Sequence, residues 1–205
     1  MKLLINTLLL LILFSLSFTA IAGDKHLFYV NGCCVSRIGE DDYNEIADKL
    51  REDGFKLVFN LRYDDSTEQV LADAQRIAGQ VRDLIAAGTP PSDITVSGYS
   101  LGSVTTLYAA IAIANPQVNF VLLAGCPGPN ARSFDIDYAR AQGRILSIID
   151  ADDNRFGSCG NKLSGTAEFK EITIRSGDGH KGFRLPDEDT VNLWKAPLKA
   201  WAGKQ

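Results

Sequence analysis

The chain is predicted to form a three-layer α/β/α sandwich around a mainly parallel sheet of about six strands. Three observations predict it. Short apolar runs alternate with segments whose apolar residues recur every three or four positions. Behind an N-terminal leader, about 180 residues remain, enough for one domain with a substantial core. The Gly- and Asp-rich stretches 125–135, 150–166 and 175–186 follow strand-like runs, where an open sheet of this kind places its ligand-binding loops.

Taken in order, Met1-Lys2 gives a positive start, Leu8 to Phe14 is unbroken apolar sequence, and Ala20-Ile21-Ala22 has the small-x-small form of a cleavage site. Residues 1–22 are therefore read as a signal peptide and 23–205 as a single domain, exported to the periplasm or secreted after cleavage near Ala22. A retained membrane anchor is the alternative. Asn6, Thr7, Ser15, Ser17 and Thr19 interrupt the apolar stretch and argue against it. Strands are expected at Leu27–Val30, Lys56–Asn60, Ile94–Ser97, Phe120–Ala124, Ile145–Ile149 and Glu171–Ile174.

The helices between them have their own signatures. Tyr43, Ile46, Ala47 and Leu50 share one helical face, and Gly54 supplies the stop. Ser66 with Gln69 resembles a capping box, followed by the stripe Val70, Ala74, Ile77, Val81, Leu84 and Ile85, ending near Gly88. Leu101, Val104, Leu107, Ile111 and Ala114 trace a third helix. Asp187 caps a last one carrying Val191, Trp194, Leu198 and Trp201, with Pro197 as an expected kink. These stripes read as core packing.

Charge excludes one class of partner. The chain has 21 Lys and Arg against 25 Asp and Glu, a formal net charge of −4, and no basic patch to attract nucleic acid. Four cysteines in an exported chain point to an oxidising compartment and admit three pairings. Adjacent Cys33 and Cys34 would form a strained ring if joined, so a bond from one of them to a distant partner is the more natural arrangement. Cys126–Cys159 is the other bond favoured, because both residues fall on loops at one edge of the sheet.

Gly98-Tyr99-Ser100-Leu101-Gly102 lies between an apolar strand and an apolar helix. A serine on such a turn sits in a strained backbone, side chains two residues either side would collide with neighbouring backbone, and the following helix aims its N-terminus at the site. Serine needs a base, usually a histidine oriented by a carboxylate. Of two histidines, His26 starts the first strand at the wrong end of the sheet, whereas His180 sits in the loop after the last strand.

The acid is expected in Asp150-Ala151-Asp152-Asp153. Asp153 is chosen because it can curl over the sheet, Asp152 is the alternative, and Asp150 closes the turn. Asp178 is a further candidate, better suited to a turn. A calcium loop at Asp150-x-Asp152 lacks the glycine and distal glutamate such a loop needs. The N–H groups of Leu101 and Cys33 are the expected oxyanion donors. A catalytic Cys33 thiol is the rival role for that residue, and export disfavours it. Arg62-Tyr63-Asp64-Asp65, after the second strand, reads as solvated surface or helix cap rather than as a lining of the site.

On the elbow at 98–102, the acid loop at 150–153 and the His loop at 177–182, in that order, the chain resembles the α/β-hydrolase superfamily over 26–203. The resemblance implies a sheet lacking the family's first two strands, a Ser100–His180–Asp153 triad, and acyl transfer on an ester or thioester without metal or organic cofactor. Many members carry His-Gly after the first parallel strand; this chain has Asn31-Gly32. Small size, export, Gly-Tyr-Ser-x-Gly and disulfides also resemble cutinases, which usually have Gln where Leu101 stands. The expected partner is thus a small-molecule or lipid-like ester, with no stable membrane anchor after leader removal. The competing class is a non-catalytic binding protein on the same fold.

Overall fold

The computed structural model describes residues 24–33, 35, 39–59, 61–163 and 168–203. The expected leader and Cys34 lie outside them. Along the chain run β1 (His26–Val30), α1 (Asp41–Glu52), β2 (Lys56–Phe59), α2 (Thr67–Ala86), β3 (Ile94–Tyr99), α3 (Leu101–Ile113), β4 (Asn119–Leu123), β5 (Cys126–Pro127), β6 (Arg144–Asp150), β7 (Phe156–Gly157), α4 (Gly160–Leu163), β8 (Glu168–Ile174) and α5 (Glu188–Ala202).

Six strands form one sheet in the order β2-β1-β3-β4-β6-β8, every pair parallel. Parallel strands covered on both faces must be apolar throughout, and β3 and β4 are buried at every residue. Helix α3 is buried along most of its length, with Val104, Leu107, Ala109 and Ala110 inaccessible. In α1, α2 and α5 only one stripe is buried: Tyr43, Ile46, Ala47 and Leu50; then Val70, Ala74, Ile77, Ala78 and Val81; then Val191, Trp194, Leu198 and Trp201. Each large apolar side chain so buried contributes roughly 1.5–3 kcal/mol.

The caps are chemical. Ser66 Oγ accepts from the Gln69 N–H at 3.2 Å, and the Asp187 carboxylate accepts from the Thr190 N–H at 3.0 Å. Gly54 and Gly88 take φ of +86° and +96° just past α1 and α2, a conformation that favours glycine. Helix α5 runs through Pro197.

Three differences from the sequence reading have physical reasons. Strand β8 begins at Glu168, three residues before the expected Glu171, and pairs fully with β6. It is an edge strand with intermediate and exposed positions, so Glu168 and Lys170 interrupt the apolar run without interrupting the ladder. Inside stretches read as loops, β5 and β7 form a two-residue antiparallel ribbon, too short to carry a period. Finally, Cys126 and Cys159 are joined to each other, so neither is available to Cys33 or Cys34 within the chain. The expected long-range bond from the adjacent pair is thereby corrected, although Cys33 is itself disulfide-bonded.

The chain leaves β1 for β2 on one side and returns to β3 on the other, so the strand order reverses between β1 and β3. Carboxyl ends of strands at such a reversal form a crevice. The loops after β1 and β3 both open into it.

Candidate active site

Ser100 sits between β3 and α3 with φ of 55° and ψ of −116°, a region a side-chain-bearing residue rarely occupies. Its backbone is held there: its N–H donates to the Leu123 carbonyl at 3.0 Å, and the Ser103 hydroxyl reaches the Gly98 and Leu123 carbonyls, each at 2.8 Å. The flanking glycines are steric necessities. A Cβ on Gly98 would lie 2.2 Å from the Gly102 carbonyl oxygen, and one on Gly102 would lie 2.1 Å from that of Val30.

His180 lies in a 3-10 turn, Gly179–Arg184, after β8. Its Nε2 is 2.9 Å from Ser100 Oγ and its Nδ1 is 2.7 Å from Asp153 Oδ2. The ring lies between Tyr99 and Phe156, with centroids 5.2 and 5.1 Å away. The Tyr99 hydroxyl donates to the His180 carbonyl at 3.0 Å. Burial, reinforced by the neighbouring Tyr43, pushes the Tyr99 hydroxyl well above its ordinary value of 10, so it stays a donor.

The Asp153 side chain is fully buried. Its Oδ1 accepts from the N–H groups of Arg155 and Phe156 at 2.8 and 3.0 Å, leaving Oδ2 for the imidazole. Burial alone would raise this carboxyl; the bonds from His180, Phe156 and Arg155 outweigh it and hold the group below 3.8. Asp150 closes the turn by accepting from the Asp152 N–H at 2.9 Å, and its other oxygen accepts from the Ser176 N–H and hydroxyl at 2.9 and 2.7 Å. It thus ties the acid loop to the His loop.

Asp152 is exposed on the cleft wall, and the imidazole faces Asp153 instead. Asp178, also on the wall, accepts through its carbonyl from the Lys181 N–H in a turn. His26 heads β1 at the far end of the sheet.

Opposite the histidine, the Asn31-Gly32-Cys33 loop leaves β1. A Cβ on Gly32 would lie 2.9 Å from the Tyr99 ring and 3.2 Å from Ser100 Cβ, so only glycine lets this loop rest against the elbow. Leu101 opens α3, where helical geometry leaves the N–H without an intrahelical partner. Cys33 lines the same cleft of about 510 Å³ as Ser100, His180, Asp152 and Arg155. Being disulfide-bonded, it has no thiol to act as nucleophile.

A family model described as alpha/beta hydrolase matches residues 62–154, the segment containing both the elbow and the acid loop. The fold matches that of Arabidopsis thaliana SOBER1, with TM-score 0.57 and 15% identity over 88% of this chain and 98% of that one. The chain has the α/β-hydrolase fold. It is also similar to the esterase domain of a Rhodothermus marinus protein, at TM-score 0.58 and 16% identity over 89% and 88% of the two chains. XC6422 from Xanthomonas campestris, described as an α/β serine hydrolase without lid, matches at TM-score 0.54 and 16% identity over 91% and 87%. At such identities the likeness is one of fold. No curated protein sequence matches the chain.

Within this α/β-hydrolase architecture several site residues had no sequence signal. Tyr99 occupies a variable position of the elbow pattern, and Phe156 lies in a segment read as loop. Arg62, expected at the surface, is buried at 3% exposure, which corrects that reading. Asp64, two residues on, does behave as expected: its carboxylate accepts from the N–H and hydroxyl of the cap residue Ser66 at 2.8 and 2.9 Å.

Proposed function

We propose that the protein is a serine hydrolase that cleaves a small ester or thioester through an acyl-enzyme. The observation that carries this reading is the continuous chain of contacts Ser100 Oγ, His180 Nε2, His180 Nδ1, Asp153 Oδ2 at 2.9 and 2.7 Å. His180 takes the Ser100 proton as Oγ bonds to the acyl carbon, then passes it to the departing alcohol or thiol. Asp153 orients the ring and stabilises the imidazolium. The N–H groups of Leu101 and Cys33 receive the oxyanion. Water, deprotonated by His180, adds to the acyl carbon and releases the acid and free Ser100.

A small polar ester is favoured over a lipid-like one, because the described cleft wall carries Asp152, Asn154, Arg155, Asp178 and Lys181. Export through the leader ending near Ala22 belongs to the same reading, and the Cys126–Cys159 bridge supports it. Protein recovered outside the cytoplasm should begin at Gly23.

The deciding experiment is labelling of the mature protein with a fluorophosphonate, with Ser100→Ala and His180→Ala as controls. Labelling confined to wild type is expected. An unlabelled wild type would overturn the reading in favour of a non-catalytic binding protein.

A further inference from the structure

Arg62 stands at the junction of three elements that approach Ser100 from different directions. Its N–H donates to Asn31 Oδ1 at 2.9 Å, and its carbonyl accepts from the Val35 N–H at 3.1 Å. These two bonds grip the loop after β1 on either side of Gly32 and Cys33. Asn31, fully buried, also donates through its side-chain amide to the Gly32 carbonyl at 3.1 Å.

The guanidinium reaches the other way. Its Nη2 donates to Thr105 Oγ1 at 2.6 Å and pairs with Asp73 Oδ2 of α2 at 3.1 Å. The Thr105 hydroxyl in turn donates to the Leu101 carbonyl at 3.1 Å, fixing the first turn of α3. Arg62 Nε and Nη1 are buried without a hydrogen-bond partner among the described residues. A buried ion pair whose cation is left partly unsatisfied is a costly way to fill space; apolar side chains in place of both partners usually serve stability as well or better.

We propose that Arg62 is a positioning residue that holds the two halves of the oxyanion hole in register. It grips the Cys33 side through its main chain and the Leu101 side through Thr105. The inference rests on the reading of those two N–H groups as oxyanion donors. Donor placement matters at the scale of an ångström, since small misplacements in a preorganised site cost large rate factors. Asn31 then has a role: its side-chain oxygen is the acceptor that lets Arg62 clasp the loop.

The test uses the full mature protein with Arg62→Met, Arg62→Lys and Thr105→Val. Each is assayed for kcat and KM on 4-nitrophenyl acetate, for inhibition by an aryl trifluoromethyl ketone, and for thermal midpoint. Arg62→Met should lower kcat about 10–100-fold with KM within about threefold, and weaken the ketone by the same factor as kcat/KM, because the ketone adduct places an oxyanion in the hole. Its thermal midpoint should fall, because Asp73 and Thr105 lose a buried partner, so kcat and ketone affinity are read per folded protein. Arg62→Lys should recover part of kcat, and Thr105→Val should lose ketone affinity while leaving KM unchanged.

A kcat within twofold of wild type in folded Arg62→Met overturns the proposal. So does a loss of activity that a smaller folded fraction accounts for entirely. Should Arg62→Met fail to fold, Thr105→Val decides alone: unchanged ketone affinity there overturns it. Failure of the hydrolase reading is separately visible, as a wild type that neither turns over ester nor takes up a fluorophosphonate.

Discussion

Replacing Cys126 and Cys159 together by alanine removes a bridge between residues 33 apart in sequence. The bridge limits the unfolded chain far more than the folded one. The chain-entropy relation for a loop of that length gives about 12.5 cal/mol/K, or about 3.7 kcal/mol at 25 °C. For a domain of this size each kcal/mol moves the thermal midpoint by roughly 2–4 °C, so the variant should melt roughly 7–15 °C lower. Urea unfolding followed by the fluorescence of Trp194 and Trp201, both buried, reads the same quantity. Hydrolysis of a nitrophenyl ester at 25 °C should stay within about twofold of wild type, because Asp153 is fixed by the Arg155 and Phe156 N–H groups rather than by sulfur. A stability loss below about 1 kcal/mol would refute the entropic argument. Activity lost with stability intact would show instead that the bridge shapes the acid loop.

Four further outcomes rest on the same geometry. Gly102→Ala drives a methyl into the Val30 carbonyl and should cost about 3 kcal/mol or more along with fluorophosphonate labelling; a variant that labels and melts like wild type would contradict the steric account. Asp150→Ala strips three donors from their acceptor and should cost about 3 kcal/mol or more, with kcat falling because the His180 loop loses its tie; retention of both quantities would show that the tie is dispensable. Asp153→Asn should lower kcat about 10²–10⁴-fold and Asp152→Asn far less, with equal losses counting against the assignment of the acid. Because the Asp153 carboxyl is held below 3.8, its ionised form stabilises the fold fully above pH 3.8, and that contribution fades as pH falls through the folded value. Asp153→Asn should therefore flatten the acid limb of urea stability measured from pH 5 to pH 2.

The parallel sheet was legible because its central strands must be apolar on both faces, a pattern that survives without knowledge of partners. The edge strand β8 was only half legible, since Glu168 and Lys170 face enough solvent to look like loop. His180 could be located because its loop follows the last strand and the other histidine, His26, stands at the wrong end of the sheet. Choosing Asp153 over Asp152 turned on Asp150 closing the turn, which a short acidic run suggests but does not display. Arg62 was misread for a different reason. Its burial depends on Thr105 and Asp73, 43 and 11 residues away, and a charge beside a tyrosine and two aspartates looks solvated until both partners are in place.

The reversal of strand order between β1 and β3 has a kinetic corollary. Residues 33, 100, 153 and 180 reach one crevice only when β1, β3, β6 and the turn after β8 are all docked, and such distant pairings close late and slowly. An extended or half-assembled chain therefore carries its serine as an inert alcohol. The Ser100–His180–Asp153 contacts exist only once the whole sheet is in place, so the cleft and its chemistry appear together, late in assembly.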